Sequence, residues 1–435
     1  MLYNQPHPLE VRVLSRRFGL PNSQSIETYL ANDGYKALEK ALDMTQQQII
    51  DEVKVSFLRG RGGAGFPTGI KWGFVPRQSP KPKYIMVNAD ESEPGTCKDR
   101  LLMEYDPHQL IEGILIASLA VGAHQGYIYI RGEYRYLIGV MDRAIDEAYA
   151  KGMLGDNIMG RGIKFHLATH SGAGAYECGE ESALLESFEG KRGNPRIRPP
   201  FPAVAGAYQC PTILNNVETF CAVPPIILNG GAYFAGLGTP KNGGTHLVCI
   251  SGHVNKPGVY ELPLGFNLMR MINEVAGGMR GGKLKAVIPG GSSCPLLKAD
   301  ECDIAMDYDT LAAAKSMLGS GGLVIMNEHT CMVKAALRIM RFYAHESCGW
   351  CIPCREGTTW LKKLLTRFHE GMGQRSDIVL IGELSKNMLG RTFCPLGDAA
   401  ALPTISIVEK FREEFEAHLD GQPCPYEISS RMVTA

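Results

Sequence analysis

The sequence predicts a multidomain α/β protein that ends in a region of helices. Three observations support this prediction. A short apolar strand, YIMV at 84–87, runs directly into a polar turn. The stretch at 246–264 alternates in the manner of a β-hairpin, and long segments near the C-terminus carry apolar residues at helical spacing. The 435 residues are enough for two to four domains with a sizeable core.

Charge and hydropathy exclude two classes of partner. The chain carries 45 Lys and Arg against 45 Asp and Glu, so it has no net charge to attract nucleic acid or an anionic membrane. The longest apolar run, at 110–123, contains Glu112 and is too short to span a bilayer. The N-terminus lacks the layout of a signal peptide. We therefore expect a cytosolic protein, or a soluble arm of a larger assembly, with no nucleic-acid partner and no membrane span.

The segment GRGGAGFPTG at 60–69 contains the dinucleotide fingerprint G-x-G-x-x-G. A Rossmann loop requires a strand immediately before its first glycine. The preceding stretch, TQQQIIDEVKVSFL, reads instead as a helix that begins with Thr45 and Gln48 as a capping box. The fingerprint therefore fails its test of context, and the loop is not predicted to be a strict Rossmann loop.

The same loop still has the means to bind a phosphate. Successive glycines can direct backbone N–H groups at an anion. Arg61 and Lys71 add cations, and Phe66 and Phe74 add flat apolar faces for a planar ring. A glycine turn without a ligand is the alternative.

Three further segments place polar side chains after strands or turns. The first follows the strand at 84–87, where ligands of open α/β sheets bind, although a solvated acidic turn is the alternative. The second, at 171–187, is a small-residue turn that opens a helix, where acidic residues also serve the helix dipole. The third, TILNNVETF at 212–220, suits a ribityl chain or phosphate, or caps a helix. The residues are Asn88, Asp90, Glu91, Glu93, Tyr176, Glu180, Glu181, Asn215, Asn216 and Thr219.

Thirteen cysteines are many for a compartment that keeps thiols reduced. Nine of them are isolated, and we interpret most of these as small buried hydrophobic residues. They are Cys97, Cys178, Cys210, Cys221, Cys249, Cys294, Cys302, Cys331 and Cys424.

The other four cysteines form a pattern typical of an iron–sulfur site. Cys348, Cys351 and Cys354 are spaced C-x2-C-x2-C, and Cys394 follows directly before a proline. Three thiolates on one turn can hold a metal–sulfur cube that a distant fourth completes. Zinc more often takes two ligands from each of two knuckles, so the spacing favours [4Fe–4S] over zinc. Helical patterns at 331–347, 358–371 and 377–389 place the cluster at one end of a bundle.

Five ordered motifs resemble the NADH- and FMN-binding flavoprotein subunits of respiratory complex I, the NADH:quinone oxidoreductase of bacteria. They are GRGGAGFPTGIKWGF, NADESEPGTCKDR, CGEESALLES, NNVET and SCGWCIPCREG. The resemblance implies a modified Rossmann-like FMN/NADH domain at 1–240 and a ubiquitin-like (β-grasp) domain of the SLBB type at 241–325. A C-terminal helical bundle with the cluster follows at 326–435.

The resemblance also implies which residues hold each group. FMN is expected at Gly60, Arg61, Gly62, Lys71, Asn88, Asp90, Glu91, Tyr176, Gly179, Glu180, Asn215, Asn216 and Thr219. NADH is expected at Phe66, Lys71, Phe74, Glu93, Glu181 and Phe201. The cluster ligands are expected to be Cys348, Cys351, Cys354 and Cys394. One departure is Glu177, at a position that is usually aliphatic in the family; a carboxylate pointing at the flavin would disfavour electron addition.

The function that the resemblance implies is hydride transfer from NADH to FMN, followed by single-electron steps to the cluster. The cofactors carry this chemistry, so we assign no catalytic residue in the strict sense. The expected partners are the thioredoxin-like [2Fe–2S] subunit and the large multi-cluster iron–sulfur subunit of complex I. They would form a peripheral arm on the cytoplasmic side of the inner membrane, with quinone reached only indirectly.

Two other functions remain open from the sequence. One is the diaphorase subunit of an NAD-linked hydrogenase or formate dehydrogenase, which uses the same module. The other is a non-catalytic electron-wiring protein with a cluster but no nucleotide.

Overall fold

The computed structural model describes residues 6–419 and 424–426, which fold into two compact units. The first unit takes in the chain up to Ser92 and adds Cys97–Val248 and Val259–Gly265. The second unit takes in Glu93–Thr96, Cys249–Gly258 and the chain from Phe266 onward.

The division into three domains stays a prediction. Its first boundary, at residue 240, lies close to the end of the long middle segment of the first unit. The second and third predicted domains both contribute to the second unit. Residues 1–5 of the first predicted domain, and residues 420–423 and 427–435 of the third, lie outside the described part.

The first unit contains a four-stranded sheet in which every pair of neighbours is parallel. Its order is β3-β2-β1-β4. Strands β2 and β3 are added in sequence on one side of β1, and β4 is then added on the other side of β1. Such a reversal between β1 and β4 is a topological switch point, where α/β proteins bind ligands. The strands are β1 (Tyr84–Ala89), β2 (Gln125–Ile130), β3 (His166–Ser171) and β4 (Thr212–Asn216). The strand predicted at 84–87 is confirmed.

The described residues of the first unit form twelve α-helices. They are α1 (Ile26–Ala31), α2 (Lys36–Leu42), α3 (Gln46–Val55), α4 (Thr68–Gly73), α5 (Lys98–Tyr105), α6 (Pro107–Val121), α7 (Arg135–Ala150), α8 (Glu181–Phe188), α9 (Pro202–Ala205), α10 (Val217–Cys221), α11 (Val223–Asn229) and α12 (Gly231–Gly236). Of these helices, α6, α7, α9 and α10 pack on the sheet. Short 3-10 turns lie at Gly132–Tyr134, Ile158–Gly160, Tyr176–Gly179 and Ala207–Gln209.

Helix α6 shows why the longest apolar run carries a glutamate. Nearly every residue of this helix is buried. The Glu112 carboxylate accepts hydrogen bonds from the backbone N–H groups of Leu38, at 2.9 Å, and Tyr35, at 3.1 Å, and from the Tyr29 hydroxyl. A buried carboxylate is tolerated when donors surround it, so α6 is a core helix of the first unit. No helix of the described residues is long and apolar enough to cross a bilayer.

The glycine-rich loop follows a helix, as the sequence predicts. Helix α3 begins at Gln46, and the Thr45 side chain and Gln48 form the predicted capping box. The loop therefore lies between α3 and α4, ahead of β1, whereas a Rossmann loop follows its first strand. Gly63 and Gly65 have φ angles of +122° and +63°, which other residues adopt at a cost.

The five-stranded sheet has the order β6-β5-β9-β7-β8. Strand β9 pairs in parallel with β5 and antiparallel with β7, which also pairs antiparallel with β8. The strands are β5 (Thr245–Gly252), β6 (Gly258–Pro263), β7 (Leu284–Ile288), β8 (Leu297–Lys298) and β9 (Gly322–Asn327). Strands β5 and β6 are neighbours, which agrees with the predicted hairpin, but they are buried almost throughout instead of alternating.

The remaining described helices belong to the second unit. They are α13 (Leu268–Arg270), α14 (Tyr308–Ala313), α15 (Met332–Glu346), α16 (Ile352–His369), α17 (Arg375–Met388), α18 (Leu396–Lys410) and α19 (Arg412–Glu416), with a π-turn at Met271–Val275 and a 3-10 turn at Ala299–Glu301. The predicted helices around the cysteine cluster are confirmed. Helix α18 begins directly after Pro395, and Phe411 adopts a non-helical conformation that separates α18 from α19.

Candidate functional site

The carboxyl ends of β1 and β4 bring three of the sequence motifs together. Asn88, near the end of β1, pairs in register with Asn216 at the end of β4. The Asn88 Nδ2 donates to the backbone carbonyl of Gly179 at 2.7 Å, and its Oδ1 accepts from the backbone N–H of Asp90 at 3.1 Å. The motifs at 88–91, 176–180 and 212–219 therefore meet at the switch point of the sheet.

The glycine-rich loop reaches the same place through its backbone. The backbone N–H of Arg61 donates to the Thr219 hydroxyl at 2.9 Å. A Cβ added at Gly62 would lie 3.2 Å from the Cβ of Asn216, so a side chain at this position would require its neighbour to shift slightly. The loop thus approaches the start of α10 closely enough to offer main-chain donors beside Asn216.

The Arg61 side chain does not serve as the exposed cation that the sequence suggests. It is fully buried, and its Nη2 donates to the carbonyls of Gly243, at 2.8 Å, and Thr245, at 3.1 Å. Burial opposes ionisation of the nearby Glu218 carboxyl, but His246, Lys98 and, to a smaller extent, Arg61 hold its pKa well below the ordinary value. Any contact of Arg61 with a phosphate or flavin is therefore expected from its backbone.

Lys71, Glu181 and Arg198 form a cluster of charges in the first unit. The Lys71 Nζ lies 2.9 Å from the Glu181 Oε2, and the Arg198 Nη1 lies 3.0 Å from the Glu181 Oε1. Burial opposes ionisation of Glu181, but the two cations outweigh it and hold the pKa of the carboxyl below its usual value. Each of the three side chains keeps about a quarter or a fifth of its surface exposed, so a ligand can reach them.

Three aromatic side chains expected at the nucleotide are exposed in the first unit. Phe66 and Phe74 are 48% and 55% exposed, and their ring centroids lie 6.1 Å apart. Phe201 is 56% exposed, with the Arg198 guanidinium 6.0 Å from its ring. Flat rings of this kind suit a planar heterocycle.

Three other side chains predicted at the site form hydrogen bonds within or between the elements α4, α8, β4 and α10. The Glu180 Oε2 caps α8, accepting from the backbone N–H groups of Ser182 and Ala183 at 2.9 Å each. The Asn216 Oδ1 caps α10 by accepting from the backbone N–H of Glu218. The Asn215 Oδ1 accepts from the Trp72 indole N–H at 2.9 Å. For Asn216 the capping alternative raised by the sequence is present in the structure, and Glu180 lies at a helix start, where the sequence analysis allowed for an interaction with the helix dipole.

Glu91 occupies a similar position at the start of α5. Its carboxylate accepts from the backbone N–H groups of Asp99, at 2.8 Å, and Arg100, at 3.1 Å. Burial and the nearby Asp99 raise the pKa of Glu91 to about 8, against the effect of Lys98. Its contact with FMN stays a prediction.

Sequence reasoning missed a buried ion network directly behind the site. The Lys98 Nζ lies 2.8 Å from both Asp99 Oδ1 and Glu218 Oε2, and all three side chains are buried. The Asp99 Oδ2 accepts from the Asn216 Nδ2 at 2.6 Å, which ties the network to the end of β4. Lys98 and Asp99 belong to the motif NADESEPGTCKDR, so the motif itself was the available signal. Arg198 was also missed, although it lies three residues before Phe201.

Glu93 belongs to the second unit and not to the first. Its Oε1 accepts from the backbone N–H of Ser293 at 2.8 Å and from the Ser292 hydroxyl at 3.4 Å. A Cβ at Gly291 would lie 2.6 Å from the Glu93 Cγ, so the glycine is needed to admit this side chain. The carboxylate is held in one position by these contacts.

The four clustered cysteines lie at or shortly before the starts of two helices of the second unit. Cys348 lies between α15 and α16, Cys351 is the residue directly before α16, and Cys354 lies in the first turn of α16. Cys394 lies just before Pro395 and α18. The backbone N–H of Phe393 points at the Cys351 sulfur at 3.4 Å, which joins the two segments. Helix N-termini and N–H donors favour negative charge, so four thiolates and an anionic cluster fit this place.

Comparisons with known proteins agree with this geometry. Residues 53–225 match the family model of the Nuo51 FMN-binding domain. Residues 246–325 match the SLBB domain, and residues 334–418 match the NADH-ubiquinone oxidoreductase-F iron–sulfur binding region.

Relatives match almost the whole chain. The second NADH-quinone oxidoreductase F subunit of Rhizobium meliloti is 52% identical over 416 residues, which cover 95% of this chain and 99% of that protein. The F subunit of the Mycobacterium bovis enzyme is 51% identical over 431 residues, 97% of each chain. A solved structure of an NAD+-reducing [NiFe]-hydrogenase is 35% identical, with a TM-score of 0.80, over 95% of this chain and 68% of that one. The chain belongs to the family of NADH-quinone oxidoreductase F subunits, the flavoprotein subunits of respiratory complex I.

Proposed function

We propose that the protein oxidises NADH through bound FMN and passes the electrons singly to a [4Fe–4S] cluster, as the electron-input subunit of an NADH:quinone oxidoreductase. The observation that carries the proposal is the convergence of the glycine loop and three polar motifs on the switch point between β1 and β4. Such a place binds nucleotides in α/β proteins, and bound cofactors there carry the redox chemistry.

The residues at that place fit FMN. The bare backbone at Gly60 and Gly62, the amide of Asn88 and the hydroxyl of Thr219 are donors and acceptors of the kind a phosphate and a ribityl chain need. We also retain Lys71, Asp90, Glu91, Tyr176, Gly179, Glu180, Asn215 and Asn216 as FMN residues, with Arg61 acting through its backbone. For NADH we retain Phe66, Lys71, Phe74, Glu93, Glu181 and Phe201.

When bound, FMN accepts a hydride from NADH and the [4Fe–4S] cluster takes up one electron at a time. The chain positions these groups. Lys71 and Arg198 hold the Glu181 carboxylate ionised, ready to accept hydrogen bonds from ribose hydroxyls. Phe66 and Phe74 offer faces on which a planar ring can stack. Cys348, Cys351, Cys354 and Cys394 would anchor the cluster.

An anaerobic titration of the purified chain with NADH tests the proposal. We expect the flavin absorption band to bleach and a reduced [4Fe–4S] signal to develop in low-temperature EPR. A chain with a cluster but no flavin, unresponsive to NADH, would contradict the proposal and favour the electron-wiring protein.

A second candidate function follows from the hydrogenase structure. That protein is named for NAD+ reduction, and its similarity over 95% of this chain supports a diaphorase subunit. The identities of 52% and 51% to the quinone oxidoreductase relatives favour complex I. Purification of the native assembly separates the two, since a complex I arm supports NADH-dependent quinone reduction and a hydrogenase supports H2-dependent NAD+ reduction.

We further propose the assembly and its place in the cell. Membership of this family implies partner subunits, and we propose the thioredoxin-like [2Fe–2S] subunit and the large multi-cluster iron–sulfur subunit of complex I. The arm that they form with this chain would lie on the cytoplasmic side of the inner membrane. We likewise propose that the chain is divided into domains at 1–240, 241–325 and 326–435.

The Glu93 carboxylate offers a test of the NADH assignment. A glutamine at this position keeps the acceptor oxygen for the Ser293 N–H but loses the charge. Because a hydrogen bond to a charged group is worth more than a neutral one, we expect Glu93→Gln to raise the Kd for NADH about tenfold or more. FMN content should stay at the wild-type level. Glu301→Gln, which removes a carboxylate of the same unit, is the control. Loss of FMN with unchanged NADH affinity would show that the assignment is wrong.

Glu181 is expected to set the preference for NADH over NADPH. A 2′-phosphate would meet the negative charge of this carboxylate, whereas Glu181→Gln removes that charge and releases Lys71 and Arg198. We therefore expect the ratio of kcat/KM for NADPH to that for NADH to rise about tenfold or more. Glu186→Gln removes a carboxylate from the same helix, where it pairs with Arg196, and should leave the ratio unchanged. An unchanged ratio in Glu181→Gln would remove this residue from the nucleotide site.

A further inference from the structure

Two cysteines that look isolated in the sequence meet a histidine in the second unit. Cys331 directly precedes α15, His418 follows α19, and Cys424 lies in the last described segment of the chain. All three are buried, and their ligand atoms lie within 4.8 Å of one another. Both cysteines are buried, as the sequence predicts, but they also lie beside each other and beside a histidine.

We propose that Cys331, His418 and Cys424 form a second metal site, which binds one divalent ion of the zinc type and is separate from the iron–sulfur cluster. Two thiolates and an imidazole are ligands that zinc prefers. Cys331 lies 87 positions before His418 in the sequence, so the fold brings it to the other two ligands. None of these three ligands belongs to the set Cys348, Cys351, Cys354 and Cys394.

The geometry at His418 is that of a metal ligand. Its Nδ1 lies 2.6 Å from the backbone carbonyl of Glu414, and because a carbonyl can only accept, this nitrogen carries the proton. The Nε2 therefore presents its lone pair, and it lies 3.4 Å from the Cys331 sulfur. Sulfur and nitrogen ligands of one tetrahedral zinc lie about 3.6 Å apart. A histidine whose second nitrogen donates to a carbonyl is the usual arrangement at zinc.

The charge of the site suits its burial. Two thiolates and one neutral imidazole balance a divalent cation, so the occupied site carries no net charge. The Glu414 carboxylate is engaged elsewhere, with its Oε1 2.5 Å from the Lys285 Nζ and its Oε2 accepting from the backbone N–H of Met332 at 3.0 Å. Glu414 therefore adds no charge to the donor set, which stays at two sulfur atoms and one nitrogen.

A metal ion at this site would fix residues 424–426 to the rest of the second unit. The metal would join Cys424 to the start of α15 and to His418 after α19. Tyr426, two residues after Cys424, packs on the ion pair of Lys285 and Glu414, since the Lys285 Nζ lies 4.0 Å from the Tyr426 ring. The role we infer is structural, because the ligands come from packed helix ends and not from the nucleotide site.

Metal analysis of the complete chain tests the proposal. The chain is purified anaerobically with FMN and its iron–sulfur cluster, incubated with zinc, and passed through a chelator before zinc and iron are measured. Full iron content shows that the cluster cysteines are occupied. We then expect one tightly held zinc ion per chain, lost in Cys331→Ser/Cys424→Ser and in His418→Gln. Cys302→Ser replaces another buried cysteine of the second unit and should keep the zinc.

X-ray absorption at the zinc edge is measured on the wild-type chain, so this test does not depend on whether the variants fold. The wild-type spectrum should contain two sulfur ligands and at least one nitrogen. A wild-type chain with full iron and no retained zinc would overturn the proposal. So would a double variant that retains as much zinc as the wild type, or a Cys331–Cys424 disulfide found by mass analysis in the anaerobic chain.

Discussion

Cys354→Ala should abolish the iron–sulfur cluster while NADH still reduces the flavin. Cys354 is the buried member of the four cysteines and lies in the first turn of α16. The variant keeps only three of the four expected thiolate ligands, and alanine cannot bind iron, so we expect the whole cluster to be lost. The chain's iron content and its [4Fe–4S] EPR signal should fall to background.

The activity of this variant should divide into two parts. The proposed FMN residues lie in the first unit and Cys354 in the second, so NADH:ferricyanide reduction should remain close to the wild-type rate. Quinone reduction by the assembled complex should stop, because electrons leave the flavin singly through the cluster. Both rates are measured on the same preparation.

Cys294→Ala is the matched control for this experiment. Cys294 is fully buried in the second unit and is not one of the four ligands, so its iron content and EPR signal should match the wild type. If Cys354→Ala kept the full [4Fe–4S] signal, Cys354 would be no ligand and the donor set would have to be revised.

Local patterns in the sequence predicted the elements that local physics determines. The helix that begins after Thr45 has its own capping box, and the strand at 84–87 is an apolar run bounded by polar residues. The cysteine spacing likewise describes one turn of chain. Each of these signals is complete within a few residues, and the structure confirms the helix and the strand.

The orientation of individual side chains, and the residues they contact, could not be predicted from local sequence patterns, because they depend on residues far away in the sequence. The sequence suggests that the Arg61 side chain binds a phosphate, but its guanidinium is buried and donates to the carbonyls of Gly243 and Thr245. The pairing of Lys98 with Glu218 joins residues 120 positions apart. The meeting of Cys331 with His418 likewise follows from the packing of helix ends, which sequence spacing does not encode.

The resemblance to a known family supplied what neither kind of reasoning could. It assigned FMN, NADH and the cluster to particular residues, and the comparisons confirm the family. The structure adds why some of those positions are sensitive to change: Asn216 caps a helix, meets the glycine loop and donates to the buried Asp99, all with one side chain.

Removal of the buried cation beside the proposed FMN site should have the largest effect on stability. Lys98→Met keeps most of the side-chain volume but leaves the carboxylates of Asp99 and Glu218 without their shared ammonium. Breaking a buried pair in this way costs about 3–5 kcal/mol, because a buried charge is left without compensation. We expect the free energy of unfolding to fall by that amount in urea titrations, and FMN content to fall with it, since Asp99 holds Asn216.

The loss should depend on pH in a defined direction. Burial opposes ionisation of Glu218, but His246 and Lys98 hold its pKa well below the ordinary value of 4.5. A carboxyl with a depressed pKa in the folded state contributes stability above its unfolded pKa and loses it as the pH falls. The difference between wild type and Lys98→Met should therefore be full near neutral pH and shrink once the pH falls below about 4.5.

A surface lysine provides the control for burial. Lys54 pairs with Asp51 at 3.2 Å, but both side chains are largely exposed. Water already screens this pair, so Lys54→Met should change the free energy of unfolding far less than Lys98→Met and should leave FMN content unchanged. Equal losses in the two variants, or a loss in Lys98→Met that does not shrink in acid, would show that the buried network does not hold the flavin site in place.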